Sequence, residues 1–211
     1  MGLIANDKGG VDFDPIAQGV HQGICYGLFD LGTQFSEMFG KWAHKILLCW
    51  EIPEERIQIE KDGKKLDLPR AISKEYTLSL GTKSNLRKDL ETWRGRAFTP
   101  DELSGFDVKN ILGKNCLIQI IHQPKGDKIY ANVASITPLM KGVTAKNPEN
   151  PLKYFAFGDN MDIPEGTPEW IVKKIQASKE WKALNANPSH PEELPPVDSY
   201  SQSIDEDSIP F

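Results

Sequence analysis

The sequence predicts a mainly β chain of the α+β kind, built on a five-stranded, partly open barrel, and three observations carry that prediction. Segments of alternating or β-branched apolar residues recur from Val20 to Ile136, hairpin turns join two pairs of them, and the most strongly helical stretch falls ahead of the last pair. At 211 residues, 39% of them hydrophobic, the chain can bury one sizeable core and still leave residues for a tail.

The first strand is expected over 20–31, where Gly23 and Gly27 interrupt an apolar run and mark a bend or bulge. A second follows over 45–52, with Ile46, Leu48, Trp50 and Ile52 on one face. Ile57 and Ile59 then alternate with polar neighbours up to Asp62-Gly63, and Leu66 and Leu68 alternate beyond it, which makes an extra hairpin. Tyr76, Leu78 and Leu80 share one face of the next strand.

Between Thr82 and Gly95 the apolar period becomes helical. Leu86, Leu90 and Trp93 stand at i, i+4 and i+7, Ser84 or Thr82 offers a cap, and Gly95 a stop. Thr99-Pro100-Asp101-Glu102 starts a short helix, with a capping threonine, proline in the first position and glutamate in the third; a turn ending at Gly113 follows. Strands over 116–122 and 129–136 flank Lys125-Gly126-Asp127-Lys128, and a short aromatic strand covers 154–157. Thr167-Pro168-Glu169 opens a helix running to about Leu184, with Ile171, Ile175, Ser178 and Trp181 or Lys182 along one stripe. Together these elements make residues 1–184 an OB-fold-like five-stranded barrel with an extra hairpin, an inserted helix and a C-terminal helix.

Residues 185–211 read differently. They hold five prolines, six acidic residues and no Lys or Arg, with too few large apolar groups to offset chain entropy, so disorder is expected there. The net charge is −5, and setting the six tail acids aside leaves 25 basic and 24 acidic residues, a net of +1, on the body. Near-neutrality argues against a strongly basic, histone-like mode, while lysines gathered on one face still suit a polyanion.

Cys25, Cys49 and Cys116 are far apart, odd in number and set in apolar sequence, the pattern of reduced core thiols. Neither an apolar run of the roughly 18 to 20 residues that a membrane span needs nor a basic leader with an apolar run is found, so a cytosolic protein is expected. No phosphate loop, nucleophile elbow or Cys/His metal spacing is found, and His21, His44, His122 and His190 are scattered. A non-enzyme without cofactor or metal is expected.

Binding a single strand without sequence preference needs aromatic faces for bases and cations for phosphates. Phe39, Lys41 and Trp42 lie between the first two strands and continue to Lys45 at the start of the second, Arg70 and Lys74 flank the approach to Tyr76, and Lys125, Lys128 and Tyr130 decorate the last hairpin. If Ile129, Ala131 and Val133 point inward, the pleat sets Tyr130 outside. Trp50 and Trp93 follow apolar stripes and read as core, whereas Arg94 and Arg96 suit either phosphate contact or the helix dipole.

The tip Asp205-Glu206-Asp207-Ser208-Ile209-Pro210-Phe211 resembles the tail of bacterial single-stranded DNA-binding proteins, whose acidic run ends in Ile-Pro-Phe; Ser208 is the departure from that pattern. Trp93-Arg94-Gly95-Arg96, Phe98-Thr99, Phe106-Asp107 and Leu112-Gly113-Lys114 are similar to bacteriophage-encoded replication or recombination proteins of the same class. The resemblance implies non-enzymatic binding of single-stranded DNA in replication, recombination or repair. It also implies recruitment of partner proteins through Asp205, Glu206, Asp207, Ile209, Pro210 and Phe211, possible self-association, and the host cytoplasm as location. Chemically, Phe211 is an apolar anchor, Pro210 lowers the ordering cost, and the carboxylate suits a basic partner pocket. Two other readings stay open: a strand-annealing or recombination-mediator protein, and a tail-bearing adaptor or decoy that does not touch DNA.

A flexible acidic segment competes with DNA for basic surface. Deleting residues 185–211 is therefore expected to tighten binding of oligo-dT, most at low salt, and an unchanged affinity by fluorescence anisotropy would refute the competition.

Overall fold

The computed structural model describes residues 14–37, 40–61, 63–158 and 161–186. Along them run β1 (Gly19–Ser36), β2 (Lys41–Lys61), β3 (Lys64–Thr77), α1 (Asn85–Arg94), α2 (Pro100–Ser104), β4 (Asn115–Lys125), β5 (Lys128–Thr137), β6 (Lys153–Phe155), α3 (Glu169–Ala177) and α4 (Lys179–Ala186). A single 3-10 turn, Val108–Ile111, precedes β4. Strands β1 to β5 form a curled antiparallel sheet in the order β3-β2-β1-β4-β5, and β6 pairs parallel with β1. At the two ends of that order β3 and β5 pack against each other without a ladder between them, which makes the sheet a half-barrel.

The curl originates in β1. Its register with β2 shifts between Cys25 and Gly27 and again between Asp30 and Gly32, and each extra residue bends the strand. Gly23 answers a different need: a Cβ there would sit 2.5 Å from Cδ1 of Ile118 on β4.

Two cores follow from apolar residues on both faces of β1 and β2. Inside the curl, Cys25, Leu28, Ile46, Leu48, Trp50, Ile52, Ile72, Ile118, Ile120 and Ile136 pack together, closed by Leu86, Leu90 and Trp93 of α1. The rings of Trp50 and Trp93 lie 6.0 Å apart. Outside, Phe29, Leu31, Leu47 and Cys49 are covered by Phe155 of β6 and by Ile171 and Ile175 of α3. The fully buried Glu51 accepts hydrogen bonds from the backbone N–H groups of Glu149 (2.7 Å) and Asn150 (2.9 Å) and from Nδ2 of Asn150 (2.7 Å). A carboxyl group so deep is tolerated because these contacts satisfy it, and it fastens the irregular segment before β6.

Local signals account for the helix ends. Ser84 caps α1 by accepting from the N–H of Arg87, and Gly95 closes it at φ 66°. The Thr99/Glu102 capping box of α2 is complete. All three cysteines are buried free thiols; burial pushes Cys49 up to about 12 and raises Cys25 well above its ordinary value. No helix among the described residues is long and apolar enough to cross a membrane.

Several elements differ from the sequence-based expectation. The strand over 45–52 and the first arm of the extra hairpin are one 21-residue strand, β2, with a register shift between Ile52 and Arg56; the extra hairpin is the far end of the β2–β3 ribbon. β3 stops at Thr77, leaving Leu78 43% exposed although Tyr76 is buried. Ile129 is 56% exposed because it lies toward the tip of the β4–β5 hairpin, while Val133 on the same strand is buried. The helix expected over 167–184 is two helices. Ser178 adopts φ −65°, ψ 160°, and its Oγ accepts from the N–H of Trp181 at 3.1 Å, so a residue placed in the apolar stripe serves as the cap of α4. The predicted disordered tail lies, apart from 185 and 186, outside the described residues.

Gly32 combines φ +64° with a tight contact, since an added Cβ would lie 2.5 Å from Oε2 of Glu180 and 2.7 Å from Cβ of Ser178. Gly32→Ala is expected to cost about 1 to 3 kcal/mol in urea denaturation. A loss below about 0.5 kcal/mol, the range of an ordinary surface change, would show that α4 yields freely.

Candidate nucleic-acid interface

Register decides where the candidate residues fall. Ser36 pairs with Lys41 at the β1–β2 turn, whereas Lys61 pairs with Lys64 and Lys125 with Lys128 at the other two turns. β4 runs antiparallel to β1, from Asn115 opposite Ile24 to Ile120 opposite Gly19, and then continues past the start of β1. The β1–β2 turn therefore projects from one end of the sheet, and the β2–β3 and β4–β5 turns from the opposite end. The candidates divide into two clusters rather than one.

The cluster at the β1–β2 turn holds Lys41, Trp42 and Lys45. Trp42 is 48% exposed, and its ring lies 5.3 Å from that of Phe35, the residue paired with it on β1 and itself 50% exposed. Nζ of Lys179, from the start of α4, stands 4.0 Å from the Trp42 ring centroid. Lys45 points to the outer side of β2, donating to Oγ1 of Thr77 at 3.1 Å and lying 4.0 Å from Glu75. Phe39 lies outside the described residues.

The opposite cluster holds Lys125 and Lys128 at the hairpin tip and Tyr130, 48% exposed, across from Gln123. Its exposed neighbour Ile129 adds apolar surface there. Arg70 and Lys74 belong to neither cluster. Arg70 donates to the carbonyl of Asp14, and Nζ of Lys74 donates to Oδ2 of Asp89 at 2.7 Å, where the hydroxyl of Tyr76 also donates at 2.8 Å. Arg94 and Arg96 converge on Glu102, and the hydrogen bond from Arg96 is the first cause that holds the Glu102 carboxyl down at about 2. The Arg94 guanidinium also stacks on Phe98 and Phe106, at 4.3 Å and 5.1 Å.

Sequence reasoning passed over Phe35 and Lys179. Phe35 was legible as an exposed aromatic next to a turn. Lys179 was not, because nothing in its local sequence says that α4 returns to the β1–β2 hairpin.

Beside Trp42, His44 is joined through Nε2 to Oδ1 of Asp30 at 2.7 Å, with Glu180 4.0 Å from Nδ1. Glu180 in turn accepts from the N–H and hydroxyl of Thr33, at 2.6 Å and 2.5 Å, which ties α4 to β1. The hydrogen bond with Asp30 raises the His44 pKa, with the Asp30 and Glu180 charges adding to it against partial burial. Below this cluster lies a cleft of about 220 Å³ lined by Leu28, Asp30, Ile46, Leu78, Phe106, Asp107, Lys109 and Tyr154 among others.

No protein-family model matches the chain, and no curated protein sequence matches it.

Because the folded state raises the His44 pKa, its contribution to stability is fully present below the unfolded value of about 6.5 and fades as pH rises through the higher folded value. His44→Gln is therefore expected to destabilise the protein more at about pH 5.5 than at about pH 8.5 in denaturant titrations. An equal cost at both would mean that the Asp30 contact contributes no charge-dependent stability.

Proposed function

We propose that this protein binds single-stranded DNA, largely independent of sequence, through an OB-type barrel, and that its acidic terminal segment recruits replication or repair proteins. One observation carries the reading: the two exposed aromatic-and-lysine clusters fall at the β1–β2 and β4–β5 turns of a sheet ordered β3-β2-β1-β4-β5, with helices between β3 and β4. That order and helix placement are compatible with an OB-fold, in which the β1–β2 and β4–β5 loops bind oligonucleotides. The clusters also carry the right chemistry, since a solvent-facing aromatic ring accepts any base and neighbouring cations meet the phosphates. α3 and α4 cover the outward side of β1 and β2 at Leu31, Leu47 and Cys49, so in this reading the strand's contacts concentrate at the turns. The tail's part rests on its resemblance and its charge, and its partner-binding residues Asp205, Glu206, Asp207, Ile209, Pro210 and Phe211 lie outside the described residues.

Trp42→Ala and Tyr130→Ala are each expected to weaken binding of labelled oligo-dT by about 1 to 3 kcal/mol in anisotropy titrations, with duplex of equal length bound weakly by the unaltered protein. Equal affinities for both variants and the unaltered protein would move the site elsewhere. Binding of duplex as tight as of single strand would refute the reading.

A further inference from the structure

We propose that the cleft beneath Leu78 is a nucleobase pocket, and that it gives a bound strand a preference for bases carrying an exocyclic amino group; this rests on the single-strand reading above. The cleft and Trp42 lie along the same strand. Trp42, His44 and Ile46 alternate along β2 and so share one face, with about 13 Å between the first and last. Ile46 is part of the cleft wall, Leu78 donates its N–H to the carbonyl of His44 at 2.9 Å, and Asp30, which also lines the cleft, holds His44. A strand with one base against Trp42 thus passes the cleft within a few nucleotides.

Size and lining select the ligand. At about 220 Å³ the cleft is below the roughly 300 Å³ at which pockets for larger ligands begin, and suits one flat ring system. Phe106 and Tyr154 give it aromatic walls, and Nζ of Lys109 sits 4.2 Å from the Tyr154 ring centroid at the rim, where a phosphate outside the pocket would meet it. Asp107 spends Oδ1 on the N–H of Lys109 at 2.8 Å, which anchors the carboxylate at the wall. Ionised carboxylates only accept hydrogen bonds. Cytosine offers the N4 amino group as donor, whereas thymine sets its O4 acceptor in that place and leaves both groups unpaired. Flat apolar walls with an exposed carboxylate and a cation at the edge are complementary to an amino-bearing base on an anionic backbone. An apolar metabolite would waste the carboxylate and the lysine.

The test compares oligo-dC with oligo-dT of equal length by anisotropy, above neutral pH, on the full chain and on its Asp107→Asn variant. Asparagine keeps the oxygen that caps Lys109, so the fold is preserved, and an unchanged thermal midpoint verifies that. The unaltered protein is expected to bind oligo-dC about tenfold more tightly, near the low end of what a base-edge contact is worth, and the variant to bring the ratio to within about twofold by losing oligo-dC affinity alone. Tight but equal binding of both strands by the unaltered protein overturns the pocket and leaves the single-strand reading standing. A tenfold ratio that survives in the variant also overturns it, since Asp107 would then not read the base. Binding of neither strand overturns both.

Discussion

Everything in this fold leans on β1, which must satisfy three strands at once. Over eighteen residues it pairs antiparallel with β2 and β4 and parallel with β6, a set of partners that no straight strand can serve. Two register shifts bend it along its β2 edge, while its other edge pairs with β4 over Gly19 to Ile24 and with β6 over Gly27 to Phe29. The bending also changes which side chains face inward: Cys25 and Leu28 enter the inner core, and Phe29 and Leu31 the outer one. A strand apolar on both faces cannot leave either in water, and α3, α4 and β6 exist in their positions because the outer row must be covered.

That requirement couples the fold to the candidate interface. Covering Leu31 and Leu47 brings α4 along the end of β1, where Glu180 is bonded to Thr33 and Lys179 is set over Trp42. The exposed aromatic pair at the β1–β2 turn is thus held from two directions, by its own hairpin and by a helix about 140 residues later in the chain. Ser178 makes this possible: by ending α3 and capping α4 in one residue, it turns the helical segment where an unbroken helix would run straight past.

How much of this the sequence discloses depends on how local each cause is. The capping box at Thr99, the stop at Gly95, both hairpin turns and the apolar stripe of α1 are decided within a few residues, and they stand where the pattern puts them. The two expected strands join into β2 because Pro53, Glu54 and Glu55 form the register shift between Ile52 and Arg56 rather than a break, which local pattern does not show. The split at Ser178 was hidden because serine fits a buried stripe as a small residue and a cap equally well. At the candidate interface, Trp42 and Tyr130 were legible as aromatic residues beside turns, but the ion pair of Lys74 with Asp89 and the hydrogen bond from Arg70 to the backbone carbonyl of Asp14 depend on contacts 15 and 56 residues apart. Sequence shows a cation; only the fold shows which groups it already meets.

That distinction bears on how the proposed binding would work. The body carries a net of about one positive charge, and many of its cations are committed: Arg56 to Asp67 and Glu149, Lys74 to Asp89, Arg94 and Arg96 to Glu102, Lys174 to Glu75. A protein that neutralises few phosphates gains little from counterion release, so on this reading the rings at Trp42, Phe35 and Tyr130 must supply much of the affinity. Stacking is weakly sensitive to salt and phosphate contact strongly so. With a nearly neutral body, six acids in the terminal segment would be a large fraction of the charge that a strand has to overcome, which is the physical reason a short acidic stretch can matter to a surface that is hardly basic at all.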